Sequence, residues 1–200
     1  MAFGSASAPT LGAASGHRRV VQPSQWAAAG IPSPYDPEAL VTSLHRLHLP
    51  RPPTVVVGVL GPGERLVASA SFAPGATRPN GWEYRNDLLD QLRRIVPHDL
   101  RRRVPVRTAV LLCCRFGEPE WTQLDGAWMW ALRDACTLHG LRCGAYLTLT
   151  PSGWQVLGGD ESGKRPSAGP VAGRRNDGTE APPADTADQV MRASVPRATA

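Results

Sequence analysis

Between Pro53 and Val156 the sequence predicts one α/β sandwich domain with a mixed sheet. Its elements run strand, strand, helix, strand, helix, strand, strand, after a short N-terminal helix. Three observations predict this. Thr54–Leu60 and Val106–Cys114 are nearly unbroken apolar runs of strand length, as strands buried on both faces require. The stretches after Asn80 and Thr122 instead repeat apolar residues at helical spacing behind residues that cap helices. The ends, 1–35 and 158–200, are rich in Ala, Gly, Pro and Ser and poor in large apolar groups, so burial cannot offset the entropy of ordering them. They are expected to be disordered, which leaves 36–157 as the folded domain.

Each element has its own local reason. Asp36-Pro37-Glu38 opens a short helix, with Pro in the first turn and acids at its positive end; Leu40, Leu44 and Leu47 give it an apolar stripe and Pro50 stops it. Thr54–Leu60 and the alternating Leu66–Phe72 flank the turn Gly61-Pro62-Gly63-Glu64, which predicts a hairpin. Asn80-Gly81-Trp82-Glu83 has the form of a capping box. Behind it Leu88, Leu89, Leu92, Ile95 and Val96 form a buried face that ends before Pro97. Val106–Cys114 is the most apolar strand and should be central. From Thr122 to His139 a second long helix places Leu124, Ala127, Trp128, Ala131, Ala135 and Leu138 on one face, with Gly140 at its C-terminal cap. Leu141–Thr148 and Trp154–Leu157, joined by Pro151-Ser152-Gly153, complete the sheet.

The formal net charge is +5, and its distribution argues against a committed nucleic-acid binder. Residues 1–35 contribute +2, residues 36–157 hold 14 Arg against 11 acids, and the tail balances at zero. A domain at +3 is only mildly basic. Lys164 is the one lysine against 21 arginines, which matches the coding bias of a GC-rich genome. The basic concentration is Arg101-Arg102-Arg103 with Arg93, Arg94 and Arg107, on a surface loop marked by Pro97, His98 and Pro105, where solvated charge is the default. Cys113, Cys114, Cys136 and Cys143 form no Cys-x-x-Cys pair and read as buried free thiols. No signal-peptide pattern opens the chain and no apolar run reaches membrane-spanning length. A cytoplasmic location without disulfides or membrane contact is expected.

The chemistry-bearing residues gather where the third strand hands over to the second long helix. Thr122-x-x-Asp125 ahead of an apolar run is a helix N-terminus signature. Cys113 and Cys114 point to opposite faces of their strand; one of the two faces a helix layer, and the other, at the strand's end beside that terminus, is placed where a thiol pKa can be depressed, but no local His supports a nucleophilic pair. His45 and His48 are three apart on the first helix without further ligands, which favours a half-exposed helix face. Trp128 lies on the core stripe of the second long helix. Trp130 falls off it, and is either a contact residue or packed on the N-terminal helix.

These residues carry a resemblance. Val55-Val56-Val57-Gly58-Val59-Leu60-Gly61, followed by the strand ending Ala70-Ser71-Phe72-Ala73-Pro74, resembles the opening hairpin of JAB/MPN domains. Trp82-Glu83-Tyr84 fits the start of the next helix in that layout. The superfamily includes zinc-dependent deubiquitinating isopeptidases and inactive relatives, and its metal motif is His-x-His, seven residues, then Ser-x-x-Asp. With the motif's Asp on Asp125, its Ser falls on Thr122, its second His on Cys114 and its first His on Leu112, without a gap. The catalytic Glu falls on Val55. Leu112 cannot bind a metal and Val55 cannot take a proton from a metal-bound water. The resemblance therefore implies a vestigial site at Cys114, Thr122 and Asp125, no metal and no cofactor. Capping alone also explains Thr122 and Asp125. On that reading Thr122→Ala should cost about 1 kcal/mol, and Asp125→Glu should cost little.

The function expected is that of a non-catalytic JAB/MPN-like module that binds another protein, with Trp130, Arg101, Arg102 and Arg103 as candidate contacts. The alternatives are a divergent metal-dependent hydrolase, peptidase or deaminase-like, and an Arg-mediated nucleic-acid binder. A deaminase wants His-x-Glu and Pro-Cys-x-x-Cys, and the chain has neither.

Overall fold

The computed structural model describes residues 19–31, 33–75, 80–98 and 104–167. Helix α1 spans Pro23–Ala28 and α2 Pro37–His48; strands β1 (Thr54–Leu60) and β2 (Leu66–Phe72) follow, then α3 (Gly81–Ile95), β3 (Thr108–Cys114) and α4 (Gln123–His139). Strands β4 (Arg142–Leu149), β5 (Trp154–Val156) and β6 (Ser162–Gly163) end the described chain. The fold is α/β with a mixed sheet in the order β2-β1-β3-β4-β5-β6. Strand β1 is antiparallel to β2 and β3, while β3 and β4 are parallel. A parallel pair needs a crossover, and α4 is that crossover.

Side-chain alternation divides the sheet between two cores. Val55, Val57, Val59, Leu111, Cys113 and Tyr146 face α3 and α4. Val56, Leu60, Leu112, Cys114, Leu147 and Leu149 face Leu40, Val41 and Leu44 of α2. Trp128, Leu111 and Leu112 are fully buried, each contributing roughly 1.5–3 kcal/mol over exposure. β3 lies between β1 and β4, the central place its composition predicts. Asn80 and Thr122 cap α3 and α4 as expected, although at Asn80 the capping box does not close, since Asn80 Oδ1 accepts from Trp82 N–H and its amide donates to Glu83; Gly140 ends α4 at φ 79°. Among the described residues no helix is long and apolar enough to cross a membrane.

Three expectations are corrected. Order extends past both expected boundaries. α1 lies inside the expected N-terminal disordered segment with Trp26 buried, and β6 lies inside the expected tail, paired to β5. Val20, Val21 and Trp26, the residues of that segment best able to anchor it, supply the apolar area that docks it as a short strap. Val21 N–H donates to the Gly126 carbonyl at 2.9 Å, and a Cβ on Gly126 would lie 2.4 Å from a Val20 methyl. The glycine is what lets the strap lie flat on α4. Leu47 and Leu138, placed on buried stripes, are exposed. The buried arc of α2 includes Val41 and His45, and that of α4 includes Cys136 and His139. At 100° per residue, each arc is centred about 90° from the leucine. His45 is consequently buried rather than half-exposed, while His48 Nε2 lies 2.8 Å from Ser69 Oγ.

Candidate functional site

Thr122 leaves extended backbone (φ −124°, ψ 165°) and closes a capping box with Asp125. Asp125 N–H donates to Thr122 Oγ1 at 3.3 Å, and Thr122 N–H donates to Asp125 Oδ2 at 2.8 Å. The Thr122 hydroxyl donates to the same oxygen at 2.7 Å. A cap normally sits in water, but Asp125 has no exposed surface. Burying a carboxylate costs several kcal/mol unless it is paired and hydrogen-bonded, and the structure supplies the partner.

Arg115, the residue after β3, grips Asp125 with two bonds, Nε to Oδ1 at 3.1 Å and Nη2 to Oδ2 at 2.9 Å. Its Nη1 donates to the carbonyls of Phe116 (3.3 Å) and Glu118 (2.6 Å), and Nη2 to that of Glu120 (2.7 Å). A guanidinium has five N–H donors, and all five are used. Tyr146 of β4 donates its hydroxyl to Asp125 Oδ1 at 2.9 Å. Burial opposes charge on Arg115, but the hydrogen bond and charge of Asp125 outweigh it and hold the guanidinium above its ordinary range. Burial, with Cys113 and Asp125 nearby, likewise holds the Tyr146 phenol well above its usual value.

The carboxylate thus receives five donors on two oxygens, which exhausts its lone pairs. Cys114 does not join it. Its side chain lies in the α2-side core with its Sγ 3.6 Å from the Pro50 carbonyl. Leu112 shares that face, whereas Val55 lies across the ladder from Cys113 on the α3–α4 face. The cysteine beside Asp125 is Cys113. Burial pushes its thiol up to about 12, outweighing the Tyr146 hydrogen bond that lowers it. Cys114 is also raised by burial. Neither is a thiolate nucleophile near neutral pH. The residues present do not fit a zinc of the kind that motif binds, as expected from Leu112: Leu112 has no donor atom, Cys114 faces away and Asp125 is saturated. Among the described residues no three His, Cys, Asp or Glu side chains are grouped to hold a metal.

Trp130 is half-buried, edge-on to Trp82 at 5.2 Å between ring centroids. It packs there rather than on α2. The Arg19 guanidinium lies 5.2 Å from the Trp82 ring and 5.4 Å from that of Trp130, and Arg85 lies 4.3 Å from Trp82 on α3. Arg85 also pairs with Asp134 at 3.3 Å. The exposed tryptophan of this group is Trp82, at 44%. Arg101, Arg102 and Arg103 lie outside the described residues. A cavity of about 430 Å³, lined by Tyr35, Asp36, Leu40, Leu60, Glu64 and Leu66, opens beside α2 and includes none of Cys114, Thr122 or Asp125.

Sequence reasoning missed Arg115 and Tyr146. An apolar strand carrying a tyrosine on its inward face was the available signal, because a buried phenol needs a partner. Comparison with family models, curated proteins and solved structures finds no match.

Proposed function

We propose that the chain is a non-catalytic module, JAB/MPN-like in layout, that works by binding another protein. The observation that carries this reading is the saturation of Asp125. The acid at the strand-to-helix handover has no lone pair free for a metal, a water or a substrate. Cys114 and Thr122 lie on opposite sides of the sheet and cannot act together. Support for contact as the mode of action comes from Trp82. Its exposed ring, stacked by Arg19 and Arg85, is held in place on an ordered helix, and Trp and Arg are the side chains that most often anchor interfaces. The test is the metal content of the full chain purified from zinc-supplemented medium, together with its peptidase and isopeptidase activity. The expected result is substoichiometric zinc and no hydrolysis. One tightly held zinc per chain, lost in Asp125→Asn, would overturn the reading.

A further inference from the structure

A second cavity, of about 310 Å³, opens on the α2 side of the sheet and is lined by His45, Leu49, Pro50, Arg51, Arg165 and Pro166. It lies at the carboxyl end of the parallel pair. Cys114, the last residue of β3, contacts the Pro50 carbonyl, and Thr150, just after β4, contacts Arg165. Open α/β sheets bind their ligands at this end of the strands. Arg165 is half-buried and held in place, its Nη1 donating to the Thr150 carbonyl at 3.1 Å and its Nη2 to the Pro50 carbonyl at 3.4 Å. A guanidinium has five N–H donors, so these bonds leave others for a ligand. Arg51 is exposed at the cavity's rim.

Among the described residues no acid lines this cavity, and neither arginine pairs with one. A charge drawn out of water without a counter-charge is unfavourable. The C-terminal end of α2, closing at Leu49, supplies roughly half a negative charge, so about one and a half positive charges stay uncompensated. His45 is 5% exposed, and its Nδ1 has no hydrogen-bond partner among the described residues. Burial, and then the Arg165 charge, hold its pKa below 6.5, so at neutral pH the ring is a third polar group on the wall and not a third charge.

We propose that this cavity binds a small phosphate monoester, with the guanidiniums of Arg51 and Arg165 on the phosphate oxygens and the ester's apolar body against Leu49, Pro50 and Pro166. Planar guanidiniums match phosphate oxygens two at a time. A phosphate monoester carries about −1.5 to −2 at pH 7, which matches the uncompensated charge, whereas a carboxylate brings only one. Leu49, 60% exposed, and the two prolines give an organic body something to cover that bare phosphate would leave in water. Failure here would leave the reading of Asp125 untouched.

Calorimetric titration of the full chain with phenyl phosphate tests the site, with inorganic phosphate and benzoate for comparison. Phenyl phosphate should bind at one site per chain, and inorganic phosphate and benzoate more weakly. Arg51→Gln, at an exposed position, should keep the wild-type melting temperature and weaken phenyl phosphate about tenfold. Arg165→Gln should weaken it further; should that variant unfold, Arg51→Gln decides alone. Arg133→Gln removes the same charge from an exposed position on α4 and should leave the affinity unchanged. No heat from phenyl phosphate at millimolar concentration overturns the proposal. So does an equal loss in Arg133→Gln and Arg51→Gln, or benzoate binding as tightly as phenyl phosphate. Inorganic phosphate binding as tightly as phenyl phosphate overturns the assignment of an ester.

Discussion

Removing the carboxylate of Asp125 should unfold this protein well before it alters any chemistry. In Asp125→Ala the Arg115 guanidinium, 9% exposed, loses two hydrogen bonds and its counter-charge while its three carbonyl partners hold it in place. The Tyr146 hydroxyl and Thr122 N–H lose their acceptor as well. Breaking a buried pair by deleting one member costs about 3–5 kcal/mol. At about 2–4 °C per kcal/mol for a domain of this size, the melting temperature should fall by about 6–20 °C. Tyr146→Phe, which removes one bond to the carboxylate, should cost about 1.5–3 kcal/mol. Thr122→Ala should cost about 1 kcal/mol, with Thr122→Ser retaining most of it. The structure reverses the expectation that Asp125→Glu is tolerated. An added methylene has no space in a fully buried cradle of five fixed donors, so that substitution should also destabilise by more than 1 kcal/mol. Thermal and urea unfolding of the variants supply the measurement. An Asp125→Ala protein melting within about 2 °C of wild type would refute the reasoning. An Asp125→Glu protein of intact stability that has lost a hydrolytic activity would refute it from the other side.

Further outcomes follow from the same geometry. Burial lowers the pKa of His45 and His139 below 6.5, with Arg165 adding to the effect at His45 and His98 and Arg93 at His139. The unfolded chain therefore takes up protons first, and stability present above pH 6.5 should decline as pH falls below it. Urea midpoints at pH 7.5 and pH 5.5 should show this, with a shallower decline in His139→Leu, which removes one of the two titrating rings. Deleting residues 1–30 should lower the melting temperature by several degrees, because Val21 and Trp26 lose their burial. Gly126→Ala, ordinarily a gain of about 1 kcal/mol within a helix, should instead destabilise by displacing the strap. Of the four thiols, Cys143 is the least buried and should be the first to react with a disulfide reagent in the native protein, ahead of Cys113, Cys114 and Cys136.

Most of the fold was legible in the sequence because it rests on local signals. Apolar runs, helical spacing, and the caps at Asn80 and Thr122 act within a few residues and survive without knowledge of partners. The expectation failed where a stripe was anchored on leucines alone. His45 and His139 occupy buried positions that Leu47 and Leu138 do not, and histidine carries too weak a hydropathy to mark a face. The candidate site was only half legible. The cap pair is local, three residues apart, whereas Arg115 lies ten and Tyr146 twenty-one residues from Asp125. Their meeting depends on the parallel register of β3 and β4, with Leu111 opposite Tyr146, which no short-range pattern encodes. Cys114 was placed near the site because its strand ends there. The alternation that put it on the other face was readable, but choosing between Cys113 and Cys114 required knowing which core α4 covers.

The arrangement at Asp125 has a mechanical consequence that bears on the proposed function. Arg115 joins four pieces of chain: the end of β3, the first turn of α4, β4 through the shared acceptor of Tyr146, and the loop whose carbonyls at Phe116, Glu118 and Glu120 it binds. Unlike a metal, a guanidinium neither dissociates nor titrates below strongly alkaline pH, so the loop is held at all working conditions. Phe116 stands on that loop at 71% exposure. An exposed aromatic on a preorganised loop loses little conformational freedom when covered, which is what a contact residue requires. The buried Arg115–Asp125 pair at this handover holds the surface of that loop in shape. Phe116→Ala should therefore leave the melting temperature within about 1 °C of wild type, since an exposed side chain contributes little to the core. Arg115→Met should lower it sharply and release the loop to proteolysis. If Phe116→Ala proved as destabilising as Arg115→Met, the ring would be part of the core and the loop could not be read as a presented surface.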